Sequence, residues 1–213
     1  MSDTVPPAPD FDDDNRVRSA VDWEARFQAD ATPWERKSVH PALMDGLKHG
    51  ILKPTERILF PGCGRSLEPL AAAQAGLDVT VLDMAPSAMA WQRDTFTQGG
   101  VSAHFVEGDG LTWRSDSPFD HVYEQTFLCA LHPHQRQDYE RAVRDWLRPG
   151  GQLLALFMQK EERGGPPYGC DIAAMRDLFS DQYWCFPEEA ALRPYPHPGL
   201  NDKIELAGVV IRR

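Results

Sequence analysis

The stretch LFPGCGRSLEPLAAAQAGLDVTVLD, residues 59–83, limits most tightly what this chain can fold into. An apolar run stops at a Gly-x-Gly turn, an Ala-rich stretch follows and is closed by Gly76, and a second apolar run ends on Asp83. Short apolar runs on either side of a helical pattern predict a βαβ unit, whose strands lie parallel in one sheet. Gly62 and Gly64 carry no Cβ, so the backbone can turn sharply there and approach a bound molecule closely.

The same alternation continues to the C-terminus. The spacing predicts strands in 57–62, 77–83, 101–109, 119–131, 152–159 and 203–213. Helices are expected in 66–76, 85–100 (closed by a glycine pair), 134–147 (stopped by RPGG) and 171–179. Before them, Trp23 and Phe27 stand four apart on one helical face, Pro33 interrupts, and a further helix is expected from about Pro41 to Lys48. Strand and helix in turn imply an α/β fold with a mostly parallel sheet and helices on both faces.

At 213 residues with 42% apolar content, one domain with a sizeable core is expected over residues 16–213. The Pro- and Asp-rich residues 1–15 read as a disordered tail, and residues 16–50 as a cap or lid ahead of the alternating core. The net charge of -10, with no cluster of Lys and Arg, disfavours a nucleic-acid partner. No run approaches the ~18 apolar residues of a membrane span and the N-terminus lacks a signal-peptide pattern, so a cytoplasmic protein without a membrane partner is expected. Cys63, Cys129, Cys170 and Cys185 form no CxxC pair, and His132 and His134 lack further ligands at metal spacing, so neither a disulfide framework nor a metal is indicated.

In a doubly wound sheet, ligands sit beyond the carboxyl ends of the strands, where the first βα turn lies. The helix after that turn is expected to offer free N–H groups to an anionic group. Asp83, at the end of the next strand, can accept hydrogen bonds from both hydroxyls of a ribose. A dinucleotide prefers GxGxxG, but the third position here is Leu67, and the GxxxxGK[ST] pattern of a triphosphate loop is absent. S-adenosylmethionine needs only the glycine turn, the ribose acid and a polar turn for its adenine. EGDG, residues 107–110, follows the third strand where that polar turn belongs. The methyl donor is the best fit.

These residues resemble the first cofactor motif of the thiopurine S-methyltransferase family, with its relatives that methylate thiols, thiocyanate and halides. WEARFQADATPWER is similar to that family's N-terminal Trp-containing segment, FLCALHPHQRQDYERAV to the segment after its fourth strand, and RGGPPYGC to its Gly-Pro-Pro loop after the fifth. The resemblance runs in the family's order over most of the chain. It implies a single-domain, Rossmann-like class I methyltransferase with a mostly parallel seven-stranded sheet and an N-terminal lid. It also implies S-adenosyl-L-methionine as donor, S-adenosyl-L-homocysteine as product, a small-molecule acceptor and a monomer.

Residue by residue, the resemblance puts Trp23, Phe27 and Trp34 in the lid and passes Gly62, Cys63 and Gly64 beneath the methionine part of the donor. Asp83 would bind the ribose, Asp109 with Gly110 would flank the adenine, and Met84 and Gln125 would also touch the cofactor. Arg136 is implied on the catalytic, acceptor side, with Phe127, His132 and Tyr168 around the acceptor. Methyl transfer to a thiolate needs alignment and dryness more than a base. No base dyad is readable, which favours a soft acceptor, foremost a thiol. A halide or thiocyanate acceptor, or a sensor that binds the donor without turnover, are the alternatives.

Overall fold

Parallel pairing of Arg57–Pro61 (β1) with Asp78–Asp83 (β2) sets the frame of the molecule, because its register places Pro61 beside Leu82 and brings the glycine turn and Asp83 to one edge. The computed structural model describes residues 21–213. The expected tail over 1–15 and the beginning of the expected cap lie outside the described residues. Among the described residues, two helices precede β1: Trp23–Gln28 (α1), whose N-cap Asp22 accepts from the Ala25 N–H, and Pro41–Lys48 (α2), begun by proline. Glu68–Gln74 (α3) joins β1 to β2, and Pro86–Gly99 (α4) joins β2 to His104–Glu107 (β3). α4 is closed by Gly100 at φ +68°, the left-handed conformation that glycine adopts without a Cβ clash.

Phe119–Glu124 (β4), Arg136–Trp146 (α5) and Leu147–Met158 (β5) repeat the unit. Ile172–Leu178 (α6), Trp184–Cys185 (β6), Arg193–His197 (β7) and Lys203–Arg212 (β8) follow. Strand order along the sheet is β3-β2-β1-β4-β5-β8-β6, with β7 paired to β8 off that path. The pairs among β1 to β5 are parallel, and β8 enters antiparallel. The sheet thus holds eight strands where seven are implied. The additional one, RPYPH, has proline at alternate positions, which removes N–H donors and is tolerated in a strand only at an edge.

The fourth strand is also shorter than the sequence predicts. It stops at Glu124, because Thr126 takes φ +58° and the following apolar FLCAL folds into a turn, Ala130 and Leu131 both donating to the Phe127 carbonyl. The central strands are buried on both faces. Leu59, Leu82 and Leu153 pack against Tyr139, Val143 and Trp146 of α5 and against Phe179, while Ile58, Phe60 and Val79 meet Leu43, Ala72 and Phe96 of α2, α3 and α4. Each such side chain removed from water stabilises the fold by roughly 1.5–3 kcal/mol.

The segment before α2 is bound to the sheet by charge. Glu205 of β8, fully buried, meets His40 Nε2 at 3.2 Å and Arg36 at 3.6 Å, while Glu68 accepts from the His40 main-chain N–H. Among the described residues, no helix is long and apolar enough to cross a membrane.

Candidate cofactor and acceptor site

One cavity of about 320 Å³ opens at the carboxyl ends of the parallel strands. The glycine turn, Asp83, Met84 and the Asp109–Gly110 turn line it together with Leu131, His132, Tyr168 and Leu200, and the Phe127 ring packs against Gly62 and Gly110. Trp23, Phe27 and Trp34 line it as well.

Gly62 and Gly64 both sit at positive φ, +55° and +53°. A Cβ on Gly62 would stand 2.2 Å from the Phe127 ring, and one on Gly64 would stand 2.9 Å from Phe27. The Gly62 N–H donates to Leu82 O at 2.7 Å and the Gly64 N–H to Asp83 Oδ2 at 2.8 Å, while Asp83 Oδ1 accepts from Ala85 N–H at 2.9 Å. Each carboxylate oxygen therefore takes one main-chain donor and keeps a lone pair for a further hydroxyl. Burial pushes Asp83 up from the usual carboxylate range, and the Ala85 and Gly64 donors pull it back. The Cys63 thiol is raised well above its ordinary value by burial and by the Asp83 charge, so it stays a neutral thiol.

Glu68, buried in the first turn of α3, turns its carboxylate to the His40 main chain, accepting that N–H at 2.6 Å.

Asp109 serves its own turn, Oδ1 accepting from Leu111 N–H at 2.8 Å, and also borders the cavity. Gly110 is held close by Phe127, whose ring a Cβ there would meet at 2.9 Å. The lid aromatics stack edge to face, Trp23 on Trp34 at 5.5 Å and Phe27 on Trp34 at 6.0 Å. On the acceptor side, His132 and Tyr168 make a similar contact at 5.4 Å. Burial and the neighbouring His134 and Arg136 hold His132 below its ordinary value, so the ring is neutral near pH 7. Its Nδ1 accepts from His134 N–H, which places the ring proton on Nε2.

Two residues expected at the site stand elsewhere. Arg136 does not line the cavity. It opens α5 with its guanidinium turned behind the Gly-Pro-Pro loop, donating to Gly169 O at 2.9 Å and meeting Cys170 Sγ at 3.7 Å. Gln125 faces a separate small cavity of about 20 Å³ below the glycine turn, with Arg36, Glu68 and Tyr123.

Several residues that hold the site escape a reading of the sequence. Arg65 reaches back to the lid, bonding Glu35 at 2.6 Å, Asp30 at 2.8 Å and Thr32 at 3.0 Å, with its guanidinium over the Phe27 ring. Glu24 of α1 accepts from Ser87 main chain and hydroxyl, joining lid to α4. Gln92 of α4, fully buried, donates to Gly64 O at 2.8 Å and Ser66 O at 3.0 Å. Lys160 Nζ holds Gly164 O and Pro167 O of the proline loop. A polar residue at an apolar helical position signals Gln92; Arg65, one residue past the turn, carries no pattern that marks it.

A mostly parallel sheet with a glycine turn, a strand-end acid and a cavity at its strand ends is the architecture of a class I methyltransferase. A family model described as Thiopurine S-methyltransferase (TPMT) matches residues 18–196, and the chain belongs to that family. Probable thiol methyltransferase 2 of Arabidopsis thaliana is 32% identical over 158 residues, 73% of this chain and 70% of the relative. Thiocyanate methyltransferase 1 of the same plant is 30% identical over 159 residues, with the same shares covered. Among solved structures, the 1,6-didemethyltoxoflavin-N1-methyltransferase of Burkholderia thailandensis, bound to S-adenosylhomocysteine, superposes with TM-score 0.67 at 15% identity, covering 94% of this chain and 92% of that one. The protein is an S-adenosylmethionine-dependent methyltransferase. Its donor end fits that cofactor: hydrogen-bond capacity left on Asp83 and glycines that admit close approach face one cavity.

Proposed function

We propose that the enzyme methylates the sulfur of a small, soft nucleophile, foremost a thiol. The observation that carries this reading is the acceptor end itself. Phe127, Leu131, Tyr168 and Leu200 form a largely apolar wall, and the acids bordering the cavity, Asp83 and Asp109, belong to the donor end. His132 is the imidazole there, and its Nδ1 lone pair is already engaged, while burial raises the Tyr168 phenol from its ordinary value. Such a wall suits an acceptor that arrives as a thiolate and needs no proton taken in the transition state.

S-adenosylmethionine, when bound, supplies an activated methyl group together with its leaving group. The chain's residues do the rest. Asp83 accepts from the ribose, Met84 and the Asp109–Gly110 turn flank the adenine, and Gly62, Cys63 and Gly64 admit the methionine part. Trp23, Phe27 and Trp34 form the lid that keeps water out, while Phe127, His132 and Tyr168 align the acceptor sulfur for in-line displacement. Arg136 serves from behind the acceptor wall, by holding Gly169. The alternative of donor binding without turnover is less well supported, because a sensor has no need of a second, walled end.

The test is donor consumption with a matched thiol, alcohol and amine, and with thiocyanate and iodide beside them. The thiol is expected to react fastest among the matched three, with a rate that climbs with pH until the acceptor's own pKa is passed. Faster methylation of the alcohol or the amine would overturn the reading, and preference for thiocyanate or iodide over every thiol would replace it with the halide and thiocyanate alternative.

A further inference from the structure

Behind Phe127 lies a buried acid that the donor and acceptor contacts do not use. Glu124 ends β4 with no exposure to solvent. Its Oε1 accepts the main-chain N–H groups of Phe127 at 2.9 Å and Leu128 at 2.7 Å, and among the described residues Oε2 has no hydrogen-bond partner. Between the acid and those donors the chain reverses through Thr126 at φ +58°. The Phe127 ring that follows touches both donor-side glycines, to the extent that a Cβ on Gly62 or Gly110 would collide with it. The ring also packs edge to face on Tyr139 of α5 at 5.4 Å.

We propose that Glu124 is a positioning residue for methyl transfer: by gripping two main-chain N–H groups, it seats the Phe127 ring at the junction of donor and acceptor ends. The inference rests on the methyl-transfer reading above and adds a residue to it. An ionised carboxylate grips N–H donors about twice as firmly as a neutral acceptor does, so the seat tightens when Glu124 loses its proton.

The surroundings set where that occurs. Burial raises Glu124 to about 7, the Leu128 and Phe127 donors pull it down, and the Glu205 charge on β8 raises it again. Tyr139 of α5, Tyr123 of β4, and Cys129 and Cys170 of the flanking loops also face it, and all four are pushed up by burial and stay neutral near pH 7. Glu205 is itself held by His40 and Arg36, and Arg136 stands beside Cys170. Glu124 is thus the group in this cluster placed to titrate near neutrality.

The experiment is a pH profile of kcat/KM for 4-nitrothiophenol, which stays a thiolate across about pH 6 to 9 and contributes no ionisation of its own. Wild type is expected to rise about three- to tenfold through an inflection near 7. Glu124→Gln keeps an oxygen for the two N–H groups but cannot ionise, so its profile should lie flat near the wild-type low-pH value. Glu124→Ala should fall below it at every pH.

Stability supplies a second readout that needs no active variant. A carboxyl raised above its unfolded value holds its stabilising proton at low pH and loses that contribution as pH rises through about 7. The melting temperature of wild type should therefore fall relative to Glu124→Gln between about pH 4.5 and 7 and hold that offset above it. A flat wild-type profile, or a Glu124→Gln profile with the wild-type inflection, overturns the proposal. A wild type that turns over no acceptor overturns the methyl-transfer reading and this inference with it.

Discussion

The two ends of the cavity are built in different ways. At the donor end, the contacts come from strand termini and main chain: Gly62 and Gly64 follow β1, Asp83 closes β2, and Gln92 fastens the turn from behind. At the acceptor end, the wall is side chains on loops, and each loop is held by a residue standing behind it: Arg136 on Gly169 O, Lys160 on Gly164 and Pro167, Glu124 on Phe127 and Leu128. The glycine-turn end is therefore built by the sheet, and the loop-walled end by struts.

The largest effect is expected where the two ends touch. Gly62→Ala puts a non-glycine residue at φ +55° and a methyl group into the Phe127 ring. Left-handed strain of about 1–3 kcal/mol joins a similar overpacking cost. Thermal melting should show a loss of several kcal/mol. The double variant Gly62→Ala/Phe127→Ala should recover the packing part alone; a single variant as stable as wild type would mean the ends are not in contact.

Next comes Asp83→Ala, which removes the expected ribose contact. Hydrogen bonds to a charged group are worth about 1.5–3 kcal/mol, so titration calorimetry should show donor affinity falling at least about tenfold. Unchanged affinity would sink the ribose assignment.

Arg136→Ala is the test of the struts. With the guanidinium on Gly169 O, its loss leaves a main-chain acceptor unpaired, at about 1–3 kcal/mol. Acceptor KM should rise alike for neutral and anionic acceptors while donor affinity holds. A loss confined to anionic acceptors would return Arg136 to direct contact with them.

The smallest effect is expected for Arg65→Ala. Its partners Asp30 and Glu35 are partly open to solvent, where a pair contributes roughly 0–1 kcal/mol. Hydrogen exchange over residues 23–35 should quicken while the core is unaffected. No change there would mean the lid is held by its aromatic contacts alone.

What could be read from the sequence divides along the same line. Gly62, Gly64 and Asp83 are legible because a tight turn and a strand-end acid demand particular residues at a fixed register, and their positions in the fold follow from one βαβ unit. FLCAL is misleading for a physical reason: five residues of strand composition follow β4, but Thr126 reverses the chain and turns them into the cavity wall. Arg136 has the composition of a site residue, yet which way a guanidinium points depends on where α5 starts, and that is set by the Pro133–Gln135 turn before it. Glu124 is buried by tertiary packing that no local pattern announces.

The tie between Glu205 and His40 has a consequence for how the protein is made. The two residues are 165 positions apart, yet the segment they secure leads from the lid into α2. At about 5–20 residues per second, a ribosome delivers Glu205 roughly 8–33 seconds after His40. Through that interval, β1 to β4 can already form their βαβ units, while His40 and Arg36 wait without their buried carboxylate partner. The tie from this segment to β8 is thus among the last to form, and nascent chains halted before β8 should leave residues 36–40 more open to a protease after the glycine turn has taken shape.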